Sequence, residues 1–513
     1  MTRFNTRRRL IGASLFGTLA ACTGDIRPRG PDSPGGVSNA QISAAVDQLD
    51  TLVANLMTSS GVPGMSVAVV HGTETIYAKG FGVRAVGSEA AVDADTVFQL
   101  ASLSKPIGSM VVAHQVGLRV VQWDTPVTTH LPWFALSNAG TSTAVTIGDL
   151  YAHRSGLPDH AGDRLEDMGY GQTEILKRLR YLPLASFRQS YFYTNFGLTA
   201  AAESVAAATG LDWATLSETT LYQPLGMTST SSRYADFAAR TNRALGHVKE
   251  GNHWVLGMGT MPDAQAPAGG VSSSANDMAR WLTMMLGQGV VDGRRIVDAT
   301  ALNAAVSAQV QSAPSGNGRP ASYYGFGFNV GTNTAGRATY SHSGAFALGA
   351  GTSFTVVPSL GLAIVALTNG YPIGVPETLI QQFFDLVQYG AIQRDWGALF
   401  ASVMLGMLEP EGSLVGVAPP VSPLPARALS TYTGTYQNDY WGPANVIEQA
   451  GGLALQIGPS PLTLPLTHWD GDVFTFALHN ENAAPGTISK ASFGSQQVTL
   501  EYYDHEQLGT FMR

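Results

Sequence analysis

Ser102 and Lys105 are the first residues whose types and spacing point to chemistry. They lie in the segment FQLASLSKPIG, residues 98–108. If a helix begins near Ser102, residues three apart share one face, so the hydroxyl and the amine converge while Ser104 points elsewhere. Pro106 fits this placement because proline is tolerated in the first turn of a helix. The segment therefore predicts a serine and a lysine held side by side.

A serine beside a lysine suits nucleophilic catalysis. A serine hydroxyl is a weak nucleophile until a neighbouring base takes its proton. Lysine becomes such a base if burial lowers its pKa from ~10.4 towards 7, whereas arginine stays protonated. The chain has 24 arginines and only five lysines, so the lysine at position 105 is interpreted as a chemical requirement.

Two further groups of residues could complete such a site. Tyr193 and Asn195 lie two apart in the segment SYFYTNFG, residues 190–197, just before a predicted helix. His342 and Gly344 precede a predicted strand over 352–357, where small residues let a substrate backbone come close. Taken alone, an aromatic-rich loop or a histidine on a strand is more often structural.

Taken in order, S-x-x-K, Y-x-N and H-x-G resemble the motifs of the serine β-lactamase and penicillin-binding-protein superfamily. The similarity is greatest to its class C-like branch and covers about residues 40–390. The segments LYAHRSGLP (150–158) and PAGGVSSSAND (267–277) also resemble core segments of that family. We interpret His153, Arg154 and Ser155 in the first of these as a structural turn and not as part of a catalytic triad.

The resemblance implies an α+β fold, with an antiparallel sheet flanked by a helical region as in β-lactamases and DD-peptidases. It implies that Ser102 is the acylated nucleophile, with Lys105 and Tyr193 as base and proton shuttle. It further implies that the substrate is bound by residues Asn195, His342, Gly344 and Ala345, with the backbone N–H groups of Ser102 and Ala345 forming the oxyanion hole.

The family resemblance also sets expectations for the reaction. It implies an acyl-enzyme hydrolase acting on small esters, on D-amino-acid peptides or amides, or on β-lactams, without a metal or cofactor. Many relatives carry a lysine where this chain has His342, and a mostly neutral histidine is poorly suited to capturing a substrate carboxylate, so efficient β-lactam hydrolysis is not expected. A non-hydrolysing peptidoglycan- or penicillin-binding envelope protein is the alternative.

The first 22 residues resemble an export signal with a lipid attachment site. Residues 1–21 contain four arginines, including a twin-arginine-like Arg7-Arg8, no acidic residue, and an apolar run over 10–21 that is too short for a stable membrane span. Cys22, the single cysteine, follows Leu-Ala-Ala as in a bacterial lipobox. We therefore expect an exported, lipid-anchored protein of the periplasm or cell envelope.

Composition and the positions of turn-forming residues divide the rest of the chain into domains and linkers. A Pro/Gly/Ser-rich spacer over 22–39 is followed by a catalytic domain over 40–400, a Pro-rich linker over 401–428 and a small β-barrel-like domain over 429–513. In the catalytic domain we predict helices over 40–57, 197–209 and 276–286, strands over 64–71 and 75–82, and a hairpin over 354–367. The pattern leaves the oligomeric state open.

The charge balance excludes one class of partner. The formal net charge is −8, and removal of the four arginines of residues 1–21 would make it −8 − 4 = −12. An acidic exported protein is poorly suited to binding nucleic acid, so we expect a small-molecule or peptide substrate instead.

Overall fold

The computed structural model describes residues 36–316 and 320–513. The predicted signal segment 1–21, Cys22 and most of the predicted spacer 22–39 lie outside the described residues. Two helices, α1 (Asn39–Val46) and α2 (Leu49–Ser60), take the place of the single helix predicted over 40–57. The break arises because the N–H of Gln48 bonds to the carbonyl of Ala45, only three residues back, which tightens the chain between them.

An eight-stranded antiparallel sheet forms the core of the described residues up to about residue 390. Its strands are β1 (Gly64–His71), β2 (Glu74–Gly82), β3 (Val310–Ala313), β4 (Ser322–Tyr324), β5 (Asn329–Thr332), β6 (Ala338–Phe346), β7 (Ala350–Val357) and β8 (Leu362–Thr368). Their spatial order is β2-β1-β8-β7-β6-β5-β4-β3. The predicted strand pair and the predicted hairpin are both present, and β1 pairs with β8, so the two ends of the region meet near one edge of the sheet.

A helical region is inserted between β2 and β3. Its longer helices are α3 (Ser104–Gly117), α4 (Asn195–Thr209) and α5 (Ala275–Leu286), and α6 (Val375–Tyr389) follows the sheet. Shorter helices span Ala139–Ala144, Ile147–Tyr151, Asp163–Asp167, Gln172–Arg178, Trp213–Ser217, Gln223–Leu225, Tyr234–Ala239, Ala266–Gly269, Ala299–Ala305 and Trp396–Leu405. Three two-stranded ribbons pair Phe98–Gln99 with Ser272–Ser273, His247–Glu250 with His253–Leu256, and Val290–Val291 with Arg294–Arg295.

The sheet is covered on both faces. Val67 and Val69 of β1 pack with the terminal helices α1, α2 and α6, whereas Ala68 and Val70 pack towards the helical region. Because successive side chains of a strand point to opposite faces, a strand buried on both sides must be apolar throughout. This explains the nearly continuous apolar sequence of β1 and confirms the predicted α+β fold.

The last 80 residues form a second, all-β unit. Its strands are β9 (Gly434–Tyr436), β10 (Ala444–Gln449), β11 (Gly452–Ile457), β12 (Leu462–Asp470), β13 (Val473–Asn480), β14 (Ala483–Phe493), β15 (Gln497–Leu500) and β16 (Thr510–Met512). Each strand pairs with the next along the chain. A bridge between Gln437 and Met512 joins the two ends, so the sheet closes into a barrel.

The connection between the two units differs slightly from the predicted linker. The helix Trp396–Leu405 extends five residues beyond the predicted boundary at residue 400, and residues 406–428 contain neither helix nor strand. This connection lies against the barrel, since the main chain of Glu411 bonds to Thr487 and Ile488. The division of the chain into domains stays a prediction.

Candidate active site

The candidate nucleophile lies on a strained turn. Ser102 is in a single 3-10 turn, Ala101–Leu103, that joins a short strand to α3. Ala101 has φ 49°, in the left-handed region that residues with a β-carbon rarely adopt. The turn is held in place because the N–H of Leu100 donates to Val271 (2.9 Å) and its carbonyl accepts from the Thr352 hydroxyl (2.8 Å). These contacts fix Ser102 at the wall of a large cavity.

Lys105 lies fully buried beside Ser102. Its Nζ is 3.0 Å from Ser102 Oγ, 2.7 Å from Asn195 Oδ1 and 2.9 Å from the carbonyl oxygen of Ala268. Burial lowers the pKa of Lys105 to about 7, and the nearby Asp163 carboxylate acts in the opposite direction. The structure thus brings the two groups together as predicted, and Lys105 has the burial that its role as a base requires.

Tyr193 approaches the same serine from the other side. Its hydroxyl donates to Ser102 Oγ at 2.8 Å, and burial raises the pKa of the phenol, which therefore stays protonated. The backbone is fixed because the Tyr193 N–H donates to Asp159 Oδ1 (2.6 Å) and its carbonyl accepts from the N–H of His160 (2.8 Å). Ser102 is therefore placed between an amine and a phenol.

Asn195 begins helix α4 and connects Lys105 to an acidic residue that sequence reasoning did not single out. Its Oδ1 accepts from Lys105, and its Nδ2 donates to Asp163 Oδ2 at 2.9 Å. The same Asp163 oxygen is 2.9 Å from His160 Nδ1. Asp163 thereby orients the amide so that its oxygen faces the lysine. Asn195 lines the cavity, as a substrate-binding residue must, and it also holds Lys105.

His342 is buried behind Tyr193, with 6.4 Å between the ring centroids, and is not among the residues that line the cavity. Its Nε2 is 2.9 Å from the Tyr324 hydroxyl and its Nδ1 is 2.7 Å from the Ser343 carbonyl oxygen. Burial, assisted by Lys105, lowers the pKa of His342 to about 3, so the ring is neutral at physiological pH. The structure does not bring this residue to the place predicted for a substrate contact.

The other two predicted positions on β6 do lie beside the nucleophile. Ala345 lines the cavity together with Ser102. A β-carbon on Gly344 would collide with the carbonyl oxygen of Leu100 and the hydroxyl of Thr352, and would lie 3.0 Å from the nitrogen of Ser102. Glycine at this position therefore allows β6 to pack directly against the nucleophile turn.

His153 supports Tyr193 and does not contact Ser102. It is buried at φ 56°, its Nδ1 accepts from the N–H of Thr194 (3.1 Å), and its ring centroid lies 4.5 Å from that of Tyr193. This agrees with its interpretation as part of a structural turn. The segments 150–158 and 267–277, which contain His153 and Ala268, resemble core segments of the family. The contact of His153 with Tyr193 and that of Ala268 with Lys105 join distant parts of the chain, so the spacing of residues alone does not reveal them.

The cavity has a volume of about 550 Å³, within the range of small-molecule sites. One side is formed by the catalytic region around Ser102 and Phe346. Another side comes from the barrel and includes Tyr440, Trp441, Glu481, Asn482, His505 and Glu506. The barrel is therefore part of the cavity wall.

Comparison with known proteins places this geometry in a family. The profile described as Beta-lactamase matches residues 49–380, and a domain of unknown function, DUF3471, matches residues 418–502. The chain is 26% identical to Unguisins hydrolase ungD of Aspergillus violaceofuscus, over 81% of this chain and 80% of that protein. It is 28% identical to Penicillin-binding protein 4 of Amycolatopsis lactamdurans, over 76% of this chain and 96% of that protein.

A match over a shorter part of the chain is found with the D-alanyl-D-alanine-carboxypeptidase/endopeptidase AmpH of Escherichia coli, which is 25% identical over 47% of this chain and 62% of that protein. The fold is shared with the octameric penicillin-binding protein homologue from Pyrococcus abyssi, at a TM-score of 0.58 and 18% identity over 91% of this chain and 100% of that one. The matched profile spans more than half of the sequence and contains the Ser102, Lys105 and Tyr193 cluster. The chain therefore belongs to the Beta-lactamase family and is a serine hydrolase.

Proposed function

We propose that the protein hydrolyses small carboxylic esters and D-amino-acid peptide amides through an acyl-enzyme on Ser102. The observation that carries this proposal is the position of Ser102 Oγ, 3.0 Å from Lys105 Nζ and 2.8 Å from the Tyr193 hydroxyl. A nucleophile that contacts both a base and an acid can exchange protons in each half of an acyl-transfer reaction.

Lys105 acts as the base in acylation. With a pKa of about 7, a large fraction of this amine is neutral at physiological pH. A neutral amine has two N–H donors, which the oxygens of Asn195 and Ala268 accept, so its lone pair is directed at the remaining neighbour, the Ser102 hydroxyl. Attack on the carbonyl carbon then transfers the serine proton to Lys105.

Tyr193 acts as the acid in acylation and as the base in deacylation. Its phenol, kept protonated by burial, gives its proton to the leaving oxygen or nitrogen as the acyl bond breaks. The resulting phenolate, stabilised by the nearby Lys105 ammonium, takes a proton from the attacking water. Lys105 returns its proton to Ser102 Oγ as the acyl group leaves. All three residues regain their starting states, and one water is consumed.

The cavity favours substrates without a free carboxylate at the reacting end. The acidic residues that line it are Asp159, Asp163, Glu481 and Glu506, whereas Arg164 is the one guanidinium among the lining residues and is committed to Glu411 and the carbonyl of Tyr502. His342, where many relatives carry a lysine, is neutral. We therefore expect esters and amides to be better substrates than β-lactams that bear a carboxylate.

The first test is intact mass after brief exposure to p-nitrophenyl butyrate and acid quench, with Ser102→Ala as the matched control. A transient butyryl adduct on the wild type alone, with continued release of nitrophenol, is the expected result. An adduct that persists without turnover would favour the non-hydrolysing binding protein. The proposal would be contradicted if no adduct forms and no product is released, both with the ester and with a D-alanyl amide.

We also propose export and lipid anchoring at Cys22. The support is the arginine-rich start, the apolar run over 10–21 and the position of Cys22 after Leu-Ala-Ala. Among residues 36–316 and 320–513, no helix is long and apolar enough to cross a membrane. Cys22→Ser should move the protein from the membrane fraction to the soluble fraction of the producing cell. A variant that still sediments with membranes would contradict the anchor.

A further inference from the structure

Glu481 brings a carboxyl group from the barrel into the wall of the active-site cavity. It lies in the turn between β13 and β14, next to Asn482. Its Oε1 accepts from the N–H of Ala347 at 2.6 Å, and its Oε2 accepts from the N–H of Leu348 at 3.3 Å and the hydroxyl of Thr260 at 2.8 Å. One side chain of the barrel thus holds two separate loops of the catalytic region.

The loop that Glu481 holds is the direct continuation of the strand beside the nucleophile. Ala345 and Phe346 end β6, and Ala347 follows them along the cavity wall. The ring of Phe346 packs with Ala101, the left-handed residue immediately before Ser102. A displacement of Ala347 would therefore move the Phe346 ring and the wall on which an acyl group must lie.

The groups that donate hydrogen bonds to Glu481 are all neutral. The hydrogen-bond donors to Glu481 are two main-chain N–H groups and a hydroxyl, and the charged group that acts on it is another acidic residue, Asp167. Burial, followed by the effect of Asp167, raises the pKa of Glu481 to about 8. A buried carboxyl without a cationic partner is destabilising unless its hydrogen bonds are well formed. Packing alone gives no reason to place one here.

We propose that Glu481 is a positioning residue for the hydrolase reaction, which holds the main chain of Ala347 and Leu348 so that Ala345 and Phe346 form the acyl-binding wall beside Ser102. The barrel then determines which acyl groups fit and does more than stabilise the fold. This inference rests on the proposed ester and amide hydrolysis only through the substrates used to test it.

The experiment compares Glu481→Ala, Glu481→Gln and the control Arg178→Ala in the full chain. Arg178 also joins the two units, because its guanidinium donates to the carbonyls of Asp439 (2.9 Å) and Tyr440 (2.7 Å), but it does not line the cavity. For each variant, kcat and KM are measured on p-nitrophenyl esters of increasing acyl length, together with the melting temperature and the rate at which a fluorophosphonate labels Ser102.

Glu481→Ala should lower kcat/KM at least tenfold and change the preferred acyl length, because Ala347 and Leu348 lose their acceptor. Glu481→Gln should restore most of the activity: the amide oxygen still accepts from Ala347, and the Thr260 hydroxyl can turn to accept from the amide N–H. Arg178→Ala should lower the melting temperature and leave kcat/KM within about twofold.

Two results would overturn the proposal. One is a Glu481→Ala variant with kcat/KM within twofold of wild type and an unchanged acyl preference. The other is an Arg178→Ala variant that has the same melting temperature as Glu481→Ala and loses as much activity. Weaker contact between the barrel and the catalytic region would then explain both losses. If the wild type is labelled by fluorophosphonate but hydrolyses no ester, the proposed substrates are wrong, and the labelling rates of the variants still decide the role of Glu481.

Discussion

Burial removes Lys105 from water and lowers its pKa to about 7, while the Asp163 carboxylate favours the charged amine. Acylation requires the neutral amine, so kcat/KM should rise with pH up to about 7 and level off above it, falling about tenfold per unit below. Asp163→Asn removes the charge that raises the lysine pKa and should move this limb to lower pH. Profiles measured with p-nitrophenyl butyrate between pH 5 and 9 test both statements. A limb that does not move in Asp163→Asn would contradict the assignment of Lys105 as the base.

Tyr193 has a role that depends on the leaving group. An amide nitrogen must be protonated as it leaves, whereas p-nitrophenolate leaves readily without a proton. Tyr193→Phe keeps the ring that packs against His153 and removes only the hydroxyl that contacts Ser102. We expect kcat/KM to fall by about 10²–10⁴ for a D-alanyl amide and by much less for the nitrophenyl ester. Equal losses on both substrates would assign the hydroxyl to positioning of Ser102 instead.

At the level of single residues, the sequence predicts some contacts of the site and misses others. The S-x-x-K spacing predicts that Ser102 and Lys105 meet, because residues three apart share one helical face, whereas Tyr193 was assigned to the same site only through the family resemblance. Asp163 was not found, since its contact with Asn195 joins residues 32 positions apart through a loop without a local signature. His342 was found, but its burial against Tyr324 depends on a strand pairing that the sequence does not reveal.

At the scale of elements, the approach of β6 to the nucleophile turn depends on Gly344. A β-carbon there has no room against Leu100 and Thr352. Gly344→Ala should push β6 away from Ser102, destabilise the protein by about 1–3 kcal/mol and reduce acylation by more than that destabilisation explains. Gly171→Ala is the matched control, because Gly171 has φ −76° and nothing within 4 Å of an added β-carbon. Denaturant unfolding and fluorophosphonate labelling of both variants check this, and a fully active Gly344→Ala would contradict it.

Elements were more predictable than their ends. The strands around Gly72 and the hairpin over 354–367 follow from turn residues between apolar runs, and the structure has both. The interruption between α1 and α2 was not predicted because Ile42, Leu49 and Val53 keep the same apolar face on both sides of the break. The helix Trp396–Leu405 was not predicted, and the domain boundary set at residue 400 falls inside it, because the composition around residue 400 carries no clear stop signal and the prolines that mark the linker become dense only after residue 417.

At the scale of the whole molecule, the barrel and the catalytic region meet along the segment that carries Asp163. The Tyr170 hydroxyl donates to the carbonyl of Trp441 at 2.9 Å, and Asn482 Nδ2 donates to Asp167 at 2.9 Å. A β-carbon on Gly458 would collide with the carbonyl of Met168, so the barrel backbone lies directly against this segment. The helix that orients Asn195 and Lys105 is thus supported from outside the catalytic region.

This shared support predicts cooperative unfolding. Separate domains commonly unfold in separate steps, but here the buried side chains of the barrel and of the segment 165–170 belong to one continuous apolar core. Loss of the barrel would expose Leu165 and Tyr170 and release Asp163. We expect one thermal transition, with calorimetric and van't Hoff enthalpies in agreement, and loss of Ser102 labelling at the same temperature as the loss of near-ultraviolet circular dichroism. An early transition that unfolds the barrel while Ser102 still reacts at its native rate would show that the catalytic region is stable without the barrel. It would also contradict the proposal that Glu481 positions the acyl-binding wall.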